Sequence, residues 1–215
     1  MSDSADGGPS VSGVTPSPAS PQTPPAVTAG LEIERQWRSH PGLRLPDAIG
    51  AWQAVDGRDE LLVDHYFDTA DLHLAEQRAR LRVRRAAASD IATLKRRMAS
   101  DGNLRRRIEI EGPYDGDPET SVAFVAARLL TQHPLALLGR IVTARTTRVY
   151  ALGARSVEIA RDRVSYPVGG DEWRLEAEGE ARDVLDIGQL LERLPLGLAP
   201  VRRGKVQTLL RRGAA

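Results

Sequence analysis

The sequence contains no cysteine, few aromatic residues and no long apolar run. Without cysteine, the 215-residue chain has no disulfide, no thiolate metal site and no cysteine nucleophile. Phe, Trp and Tyr make up only 4% of the residues, so the core must consist mainly of Leu, Val, Ile and Ala. No apolar segment approaches the roughly 20 residues of a membrane span. These absences indicate an ordinary globular protein and fit a reducing compartment.

The charge balance also excludes some partners. The chain has 30 basic and 29 acidic residues, a net charge of +1, so no bulk field favours nucleic acid or a membrane surface. The N-terminus lacks the basic and apolar regions of a signal peptide. We therefore expect a cytoplasmic protein, monomer or homodimer, with no nucleic-acid partner and no membrane partner.

Composition divides the chain in two. Residues 1 to 30 are rich in Ser, Pro, Gly, Thr and Ala, and only Asp3 and Asp6 carry charge. Such a segment cannot bury enough apolar surface to offset the entropy of ordering it. The sequence predicts a disordered tail over residues 1 to 30 and a single folded domain over residues 31 to 212.

Alternating apolar and charged residues predict strands through most of this domain. Helical spacing is less common and predicts helices at 45–55, 118–132 and 182–194. The pattern indicates an α+β fold, an antiparallel barrel or curved sheet with outer helices. The predicted strands lie within residues 31–40, 63–67, 79–85, 91–97, 104–112, 143–152, 156–166 and 174–180.

The charged strand faces are segregated by sign. Strands at 80–84 and 93–97 are basic, whereas those at 32–36, 158–162 and 174–180 are acidic. A solvated surface normally mixes the two signs, although an open sheet with solvated charges remains the plain alternative. If the sheet closes with its charges inward, a ligand must balance them, because unpaired buried charges are costly. A polyanion bridged to carboxylates by divalent cations does so.

Glu32 and Glu34 begin the acidic set, two residues apart on one strand face. That face has no obvious counter-charge of its own. Paired carboxylates suit Mg²⁺ or Mn²⁺, which prefer oxygen ligands and commonly bind substrate phosphates as well. We therefore interpret Glu32 and Glu34 as metal ligands.

A series of motifs resembles the CYTH domain, the triphosphate tunnel metalloenzyme superfamily. LEIERQW resembles its opening Glu-x-Glu-x-Lys signature. The remaining motifs follow in the family's order and extend the resemblance over roughly residues 31 to 210. They are HYFDTADLHLAEQRARLRVRR, TLKRR, RRRIEIEGP, VEIARDRV, LEAEGE and RRGKVQ.

The resemblance implies an eight-stranded antiparallel tunnel that binds a triphosphate group. It implies Mg²⁺ or Mn²⁺ on Glu32, Glu34, Asp162, Glu176 and Glu178, with Glu158 an alternative to Asp162. It implies phosphate contacts from Arg82, Arg84, Lys95, Arg107, Arg148 and Lys205. Of these residues, Glu32, Glu34, Lys95 and Arg148 are expected to carry catalysis.

Three positions depart from the family's pattern. Gln36 replaces the signature lysine, Arg174 lies where many members have a third glutamate, and Gly204 replaces a serine. Losing one charge-assisted contact costs about 1.5–3 kcal/mol, so these departures bear on activity more than on fold.

The resulting hypothesis is a metal-dependent phosphohydrolase acting on inorganic triphosphate or on an organic or nucleoside triphosphate. One alternative is a non-catalytic tunnel that binds polyphosphate or nucleotide, which would show tight binding without turnover. Another is a class IV adenylate cyclase-like enzyme, which would form a cyclic nucleotide from ATP. Substrate discrimination is expected at the tunnel mouth, in loops such as 98–103 and 166–172.

Overall fold

The computed structural model describes residues 27–85, 89–101 and 104–213, and long strands dominate it. The strands are β1 (Thr28–Arg38), β2 (Ala48–Ile49), β3 (Trp52–Asp68), β4 (Ala79–Arg85), β5 (Asp90–Asp101), β6 (Leu104–Tyr114), β7 (Ala136–Leu152), β8 (Arg155–Ser165), β9 (Asp171–Gly179) and β10 (Ala199–Pro200). The helices are α1 (His73–Glu76), α2 (Val122–Arg128), α3 (Ala181–Arg193) and α4 (Lys205–Gly213).

Eight of the strands form a closed antiparallel ring. Neighbours follow the order β1, β6, β5, β4, β3, β7, β8, β9, and β9 pairs again with β1. Strand β1 closes the ring because residues 28–35 pair with β6 while residues 34–38 pair with β9. The expected eight-stranded tunnel with outer helices is confirmed.

Strand alternation places the charged faces inside the ring and the apolar faces outside. Helices cover the outer faces, because each helix has one apolar stripe to bury. Helix α3 packs on one apolar cluster, α2 on a second and α4 on a third. The helix residues buried there are Val184, Ile187 and Leu191; Ala123, Phe124 and Ala127; and Val206 and Leu209.

The helix predicted at 45–55 is wrong. Leu45, Ile49 and Trp52 are all buried, and their spacing fits a helix face. However, Gly50 has a φ of 60°, in the left-handed region, and it turns the chain between β2 and β3. Ile49 and Trp52 then pair across a short hairpin, so the same burial arises from a turn.

The other segments follow the sequence with altered bounds. The helix expected at 118–132 shortens to α2, that at 182–194 is α3, and α4 was not predicted. Residues 1–26 of the expected tail lie outside the described residues, while Thr28 to Gly30 belong to β1 and pair with β6. None of the helices in the described part of the chain combines the length and apolar character needed to span a membrane.

Candidate active site

The lumen of the ring is a charged cavity of about 550 Å³. All eight ring strands and α4 contribute side chains to it, and basic and acidic residues line it in nearly equal numbers. The ionisable residues among its lining are Glu32, Glu34, Arg58, Glu60, Tyr66, Arg80, Arg82, Arg84, Lys95, Arg107, Glu109, Glu111, Arg145, Glu158, Arg174, Glu176, Glu178 and Lys205.

Three carboxylates form a row across neighbouring strands. Glu34 on β1 pairs directly with Glu178 on β9, which pairs in turn with Glu158 on β8. Paired residues point to the same side of a sheet, and like charges directly opposite each other destabilise it. We call Glu34, Glu178 and Glu158 the acidic row.

Two members of the acidic row, Glu34 and Glu178, have excess negative charge, whereas Glu158 accepts a hydrogen bond from Arg58 at 3.0 Å. Burial raises the pKa of Glu34, and the neighbouring carboxylates of Glu176 and Glu32 add to the effect against the pull of Arg107. Glu178 is accessible from the lumen, yet desolvation by the walls, then Glu32 and Glu34, raise its pKa to about 7. Glu34 Oε1 lies 2.5 Å from Arg107 Nη2 but accepts no hydrogen bond of acceptable geometry. A divalent cation with a preference for oxygen ligands would relieve this repulsion.

Glu32 lies beside the acidic row but is better compensated. Its carboxylate accepts a hydrogen bond from Lys95 Nζ at 2.6 Å, and Arg107 Nη1 lies 3.5 Å away. Burial would raise the pKa of Glu32, but Lys95 and Arg107 outweigh burial and lower it. Lys95 also contacts Glu109 at 3.2 Å, so it is held between two carboxylates.

Asp162 and Glu176 both accept hydrogen bonds from cationic side chains. Asp162 is fully buried, receives two bonds from Arg145 at 2.7 and 2.8 Å and one from Lys205 at 2.7 Å, and does not border the lumen. Glu176 accepts bonds from Arg145 at 2.6 Å and Gln36 at 2.8 Å. Burial would raise the pKa of Glu176, but Lys205 and Arg145 lower it strongly. Both carboxylates therefore orient Arg145 and Lys205.

Arg82 and Arg84 share one buried carboxylate on the basic wall. Arg84 donates two bonds to Asp64, at 2.7 and 3.0 Å, and Arg82 lies 3.5 Å from the same group. Asp64 is only 1% exposed. Burial opposes ionisation, but Arg82 and Arg84 hold its pKa well below the usual range. This pairing preorganises both guanidinium groups at the lumen.

Arg80 differs from Arg82, Arg84 and Lys95, which are all paired with carboxylates. Its side chain forms no hydrogen bond and no ion pair with any of the side chains described in 27–85, 89–98 and 104–213. It lies directly opposite Lys95 in the β4–β5 ladder, and burial together with Arg107 lowers its pKa to about 10. The sequence showed a basic strand here, but only the structure reveals that Arg80 lacks a partner.

The structure accounts for two of the departures from the family pattern. Gln36 donates to Glu34 at 3.0 Å and to Glu176 at 2.8 Å, and its side-chain oxygen accepts a bond from Arg105. A β-carbon at Gly204 would lie 2.7 Å from Cζ of Arg80, so glycine leaves the space that the guanidinium occupies.

The expected position of Arg148 inside the tunnel is wrong. Arg148 pairs with Ile159, which faces the outer core, and its guanidinium contacts Asp47 at 2.5 Å on the surface. Arg145, three positions earlier, pairs with Asp162 and points into the ring. An odd separation along a strand places two side chains on opposite faces, so Arg145 is the tunnel arginine of β7.

Other predicted site residues do converge. Glu32, Glu34, Glu176 and Glu178 border one lumen with Arg82, Arg84, Lys95, Arg107 and Lys205. The expected mouth loops are partly strand, because 98–101 belong to β5 and 171–172 to β9, while 102–103 lie outside the described residues.

A closed antiparallel ring with inward-pointing charges defines the chain as a tunnel protein. The CYTH domain family model matches residues 30–198, most of the chain. The protein therefore belongs to the CYTH domain family, as its motifs indicated.

Solved structures share the fold at low sequence identity. A proposed adenylyl cyclase from Hippeastrum, described as having a dominant triphosphatase activity, is 18% identical with a TM-score of 0.61, and the match covers 84% of this chain and 95% of that one. A proposed adenylate cyclase from Bacillus halodurans is 21% identical with a TM-score of 0.61 and coverages of 84% and 97%. A Pyrococcus horikoshii protein is 20% identical, with a TM-score of 0.50 and coverages of 84% and 98%. A sequence search of curated proteins found no match.

Proposed function

We propose that the protein is a metal-dependent phosphohydrolase that takes the triphosphate group of its substrate into the tunnel. The observation that carries this proposal is the unpartnered guanidinium of Arg80 beside Lys95. Strands β4 and β5 lie on the opposite side of the ring from β8 and β9, which hold Glu158 and Glu178. The guanidinium of Arg80, which has no partner among the described side chains, would bind an anion, and the acidic row would bind a cation. A polyphosphate with its divalent ion supplies both.

The basic wall would bind and polarise the phosphates. Arg80 and Lys95 would contact phosphate oxygens directly, and Arg82 and Arg107 would add charge from neighbouring strands. Arg145, held by Asp162 and Glu176, would face the substrate without reorganising. Preorganised cations of this kind stabilise the charge on a transferring phosphoryl group and its leaving group. No side-chain nucleophile is required, because water can attack in line.

The acidic row fits Mg²⁺ or Mn²⁺. Glu34, Glu178 and Glu158, with Glu32 beside them, supply oxygen donors whose mutual repulsion a divalent ion removes. When bound, such an ion neutralises phosphate charge and lowers the pKa of a coordinated water. Asp162 is less suited to this role because it does not border the lumen and accepts three bonds from Arg145 and Lys205. Glu176 is less suited because Gln36 and Arg145 occupy both of its oxygens.

The lining favours a substrate whose triphosphate is the recognised group. Among the described residues of the lumen, Tyr66 is the only aromatic side chain. Nucleobases are commonly held by stacking on aromatic faces, so the cavity offers little for a base. We therefore place inorganic triphosphate ahead of nucleoside triphosphates.

Phosphate release from the purified full chain tests the proposal. Tripolyphosphate, ATP and thiamine triphosphate would each be assayed with Mg²⁺ and with Mn²⁺, and ATP reactions would also be analysed for cyclic nucleotide. We expect metal-dependent release, greatest with tripolyphosphate, that Glu34→Gln and Glu178→Gln abolish. Arg148→Ala, which alters a surface ion pair, serves as the matched control and should retain activity.

Two results would contradict the proposal. Folded wild-type protein that binds tripolyphosphate without releasing phosphate would identify a binding tunnel. Cyclic nucleotide as the main product from ATP would identify a cyclase.

A further inference from the structure

A second group of potential metal ligands lies outside the tunnel. Asp71 and His73 come from the connection between β3 and β4, and His133 comes from the connection between α2 and β7. One ligand atom from each lies within 4.8 Å of the other two. We call these three residues the histidine cluster. None of them lines the described lumen, so the cluster is separate from the proposed active site.

Buried threonines hold the cluster in place. Thr69 is fully buried, donates to Asp71 Oδ1 at 2.5 Å and accepts a bond from the backbone N–H of His73 at 2.8 Å. Thr131, which is 4% exposed, accepts from the backbone N–H of His133 at 3.2 Å. The two imidazole rings lie 6.1 Å apart between centroids and are tilted by 42°. Two distant segments therefore bring their donor groups together on fixed backbone.

We propose that the histidine cluster binds one divalent transition-metal ion of the zinc type. Two imidazole nitrogens and one carboxylate oxygen suit Zn²⁺, Co²⁺ or Ni²⁺, whereas Mg²⁺ prefers oxygen ligands alone. Hydrogen bonding from Thr69 lowers the pKa of Asp71, so this ligand is ionised at neutral pH. Donors around a tetrahedral zinc ion lie roughly 3.4 Å apart, and small side-chain rotations of these accessible residues close the remaining distance.

Three protein ligands leave a coordination position open. His133 also borders a cavity of about 470 Å³, whose lining includes Phe67, Phe124 and Arg128. The open position would hold water or a small anion. The ion would also join the β3–β4 connection to the α2–β7 connection.

Histidine side-chain NMR of the full chain tests this site directly. The four histidines are His40, His65, His73 and His133, and none lines the described lumen, so metal bound in the tunnel would leave ring ¹⁵N signals largely unchanged. On adding ZnCl₂, we expect the signals of His73 and His133 to shift and to saturate at one equivalent. Millimolar MgCl₂ should leave them in place.

Variants assign the ligands. His133→Ala should weaken zinc binding by at least ~100-fold, beyond the 10- to 100-fold typical of losing an outer-sphere partner. Asp71→Asn, a conservative change at an exposed position, should weaken binding with the fold intact. His40→Ala is the matched control and should leave the affinity unchanged. Unshifted His73 and His133 signals, or unchanged zinc affinity in both His133→Ala and Asp71→Asn, would overturn the proposal.

The two proposals fail independently. His133→Ala should retain magnesium-dependent phosphate release, and Glu34→Gln should retain the zinc-induced shifts of His73 and His133. Loss of the zinc-induced shifts in Glu34→Gln would place the ion in the tunnel and overturn the separate site.

Discussion

Replacing Arg80 with methionine should stabilise the ligand-free protein and weaken substrate binding at the same time. Burial and Arg107 lower the pKa of Arg80 from 12.5 to about 10. Because one pKa unit corresponds to about 1.36 kcal/mol, this charge costs as much as ~3 kcal/mol of folding free energy. Methionine keeps a long apolar side chain without the charge. At roughly 2–4 °C per kcal/mol, Arg80→Met should raise Tm by several degrees.

The same change removes a charge-assisted contact to phosphate. Such a contact contributes about 1.5–3 kcal/mol, so kcat/KM for tripolyphosphate should fall by about 10- to 150-fold. Thermal unfolding without ligand and steady-state kinetics measure the two effects. A higher Tm together with a lower kcat/KM would show that Arg80 binds the ligand at a cost to the stability of the ligand-free protein.

Arg84→Met is the matched comparison. It would leave Asp64, only 1% exposed, without its two-bond partner, and breaking a buried pair costs about 3–5 kcal/mol. Tm should therefore fall. If Arg80→Met lowers Tm as Arg84→Met does, or leaves kcat/KM unchanged, then Arg80 is an ordinary structural cation and the reasoning is wrong.

Gly204 extends this prediction. A new β-carbon there would lie 2.7 Å from Cζ of Arg80, so Gly204→Ala should displace the guanidinium and lower kcat/KM. In the Arg80→Met background the same change should have a much smaller effect, because the clashing group is gone. Additive losses in this double-mutant cycle would show that Gly204 acts elsewhere.

Three further predictions concern the rest of the tunnel. Arg145→Ala should abolish phosphate release, whereas Arg148→Ala should keep activity and change stability by less than about 1 kcal/mol; activity loss confined to Arg148→Ala would refute the assignment. Gln36→Lys would keep a donor beside Glu34 and Glu176 but would replace the oxygen that accepts from Arg105 with an ammonium. We expect no gain in activity, and unfolding and kinetics should show a loss that Arg105→Gln relieves. The pKa of Glu178 is about 7 in the folded protein, against 4.5 ordinarily. The folded state therefore holds this proton more tightly than the unfolded state, and the metal-free protein should lose stability as pH rises from about 4.5 to about 7. Tm measured against pH in chelator should show this slope in wild type, and a slope of equal size in Glu178→Gln would contradict it.

The positions of most strands could be predicted, because residues that alternate between charged and apolar indicate an extended segment with one charged face. The segments around Glu32, Lys95 and Glu176 alternate cleanly, but this pattern fits a barrel or a curved sheet, and the closed ring of eight strands was implied only by the family resemblance. The helix prediction failed for the segment holding Ile49 and Trp52, because burial at helical spacing also results from a hairpin turn. Only the left-handed backbone at Gly50 distinguishes the two.

The candidate site was harder to predict than the strands that build it. Arg145 and Arg148 are both basic residues on β7, and strand period alone shows only that they point to opposite faces. The pairing of Arg145 with Asp162 shows which of the two faces the lumen, and this register could not be known from the sequence. Likewise, the alternation of β4 does not distinguish Arg80 from Arg82 and Arg84, and the family resemblance implied phosphate contacts only from the latter two. Whether an arginine is paired depends on which carboxylate the fold places opposite it, and that is a tertiary property.

The closure of the ring through β1 has a consequence for how the chain folds. Gln36 bonds to Glu176, 140 residues later, so the first ring strand in the chain cannot complete its pairing until the last is made. During synthesis the growing sheet would therefore keep two open edges, and contacts of such long sequence separation are slow to form. We infer that joining β1 to β9 is a late step in folding, and that the lumen exists only once the C-terminal third of the chain has emerged.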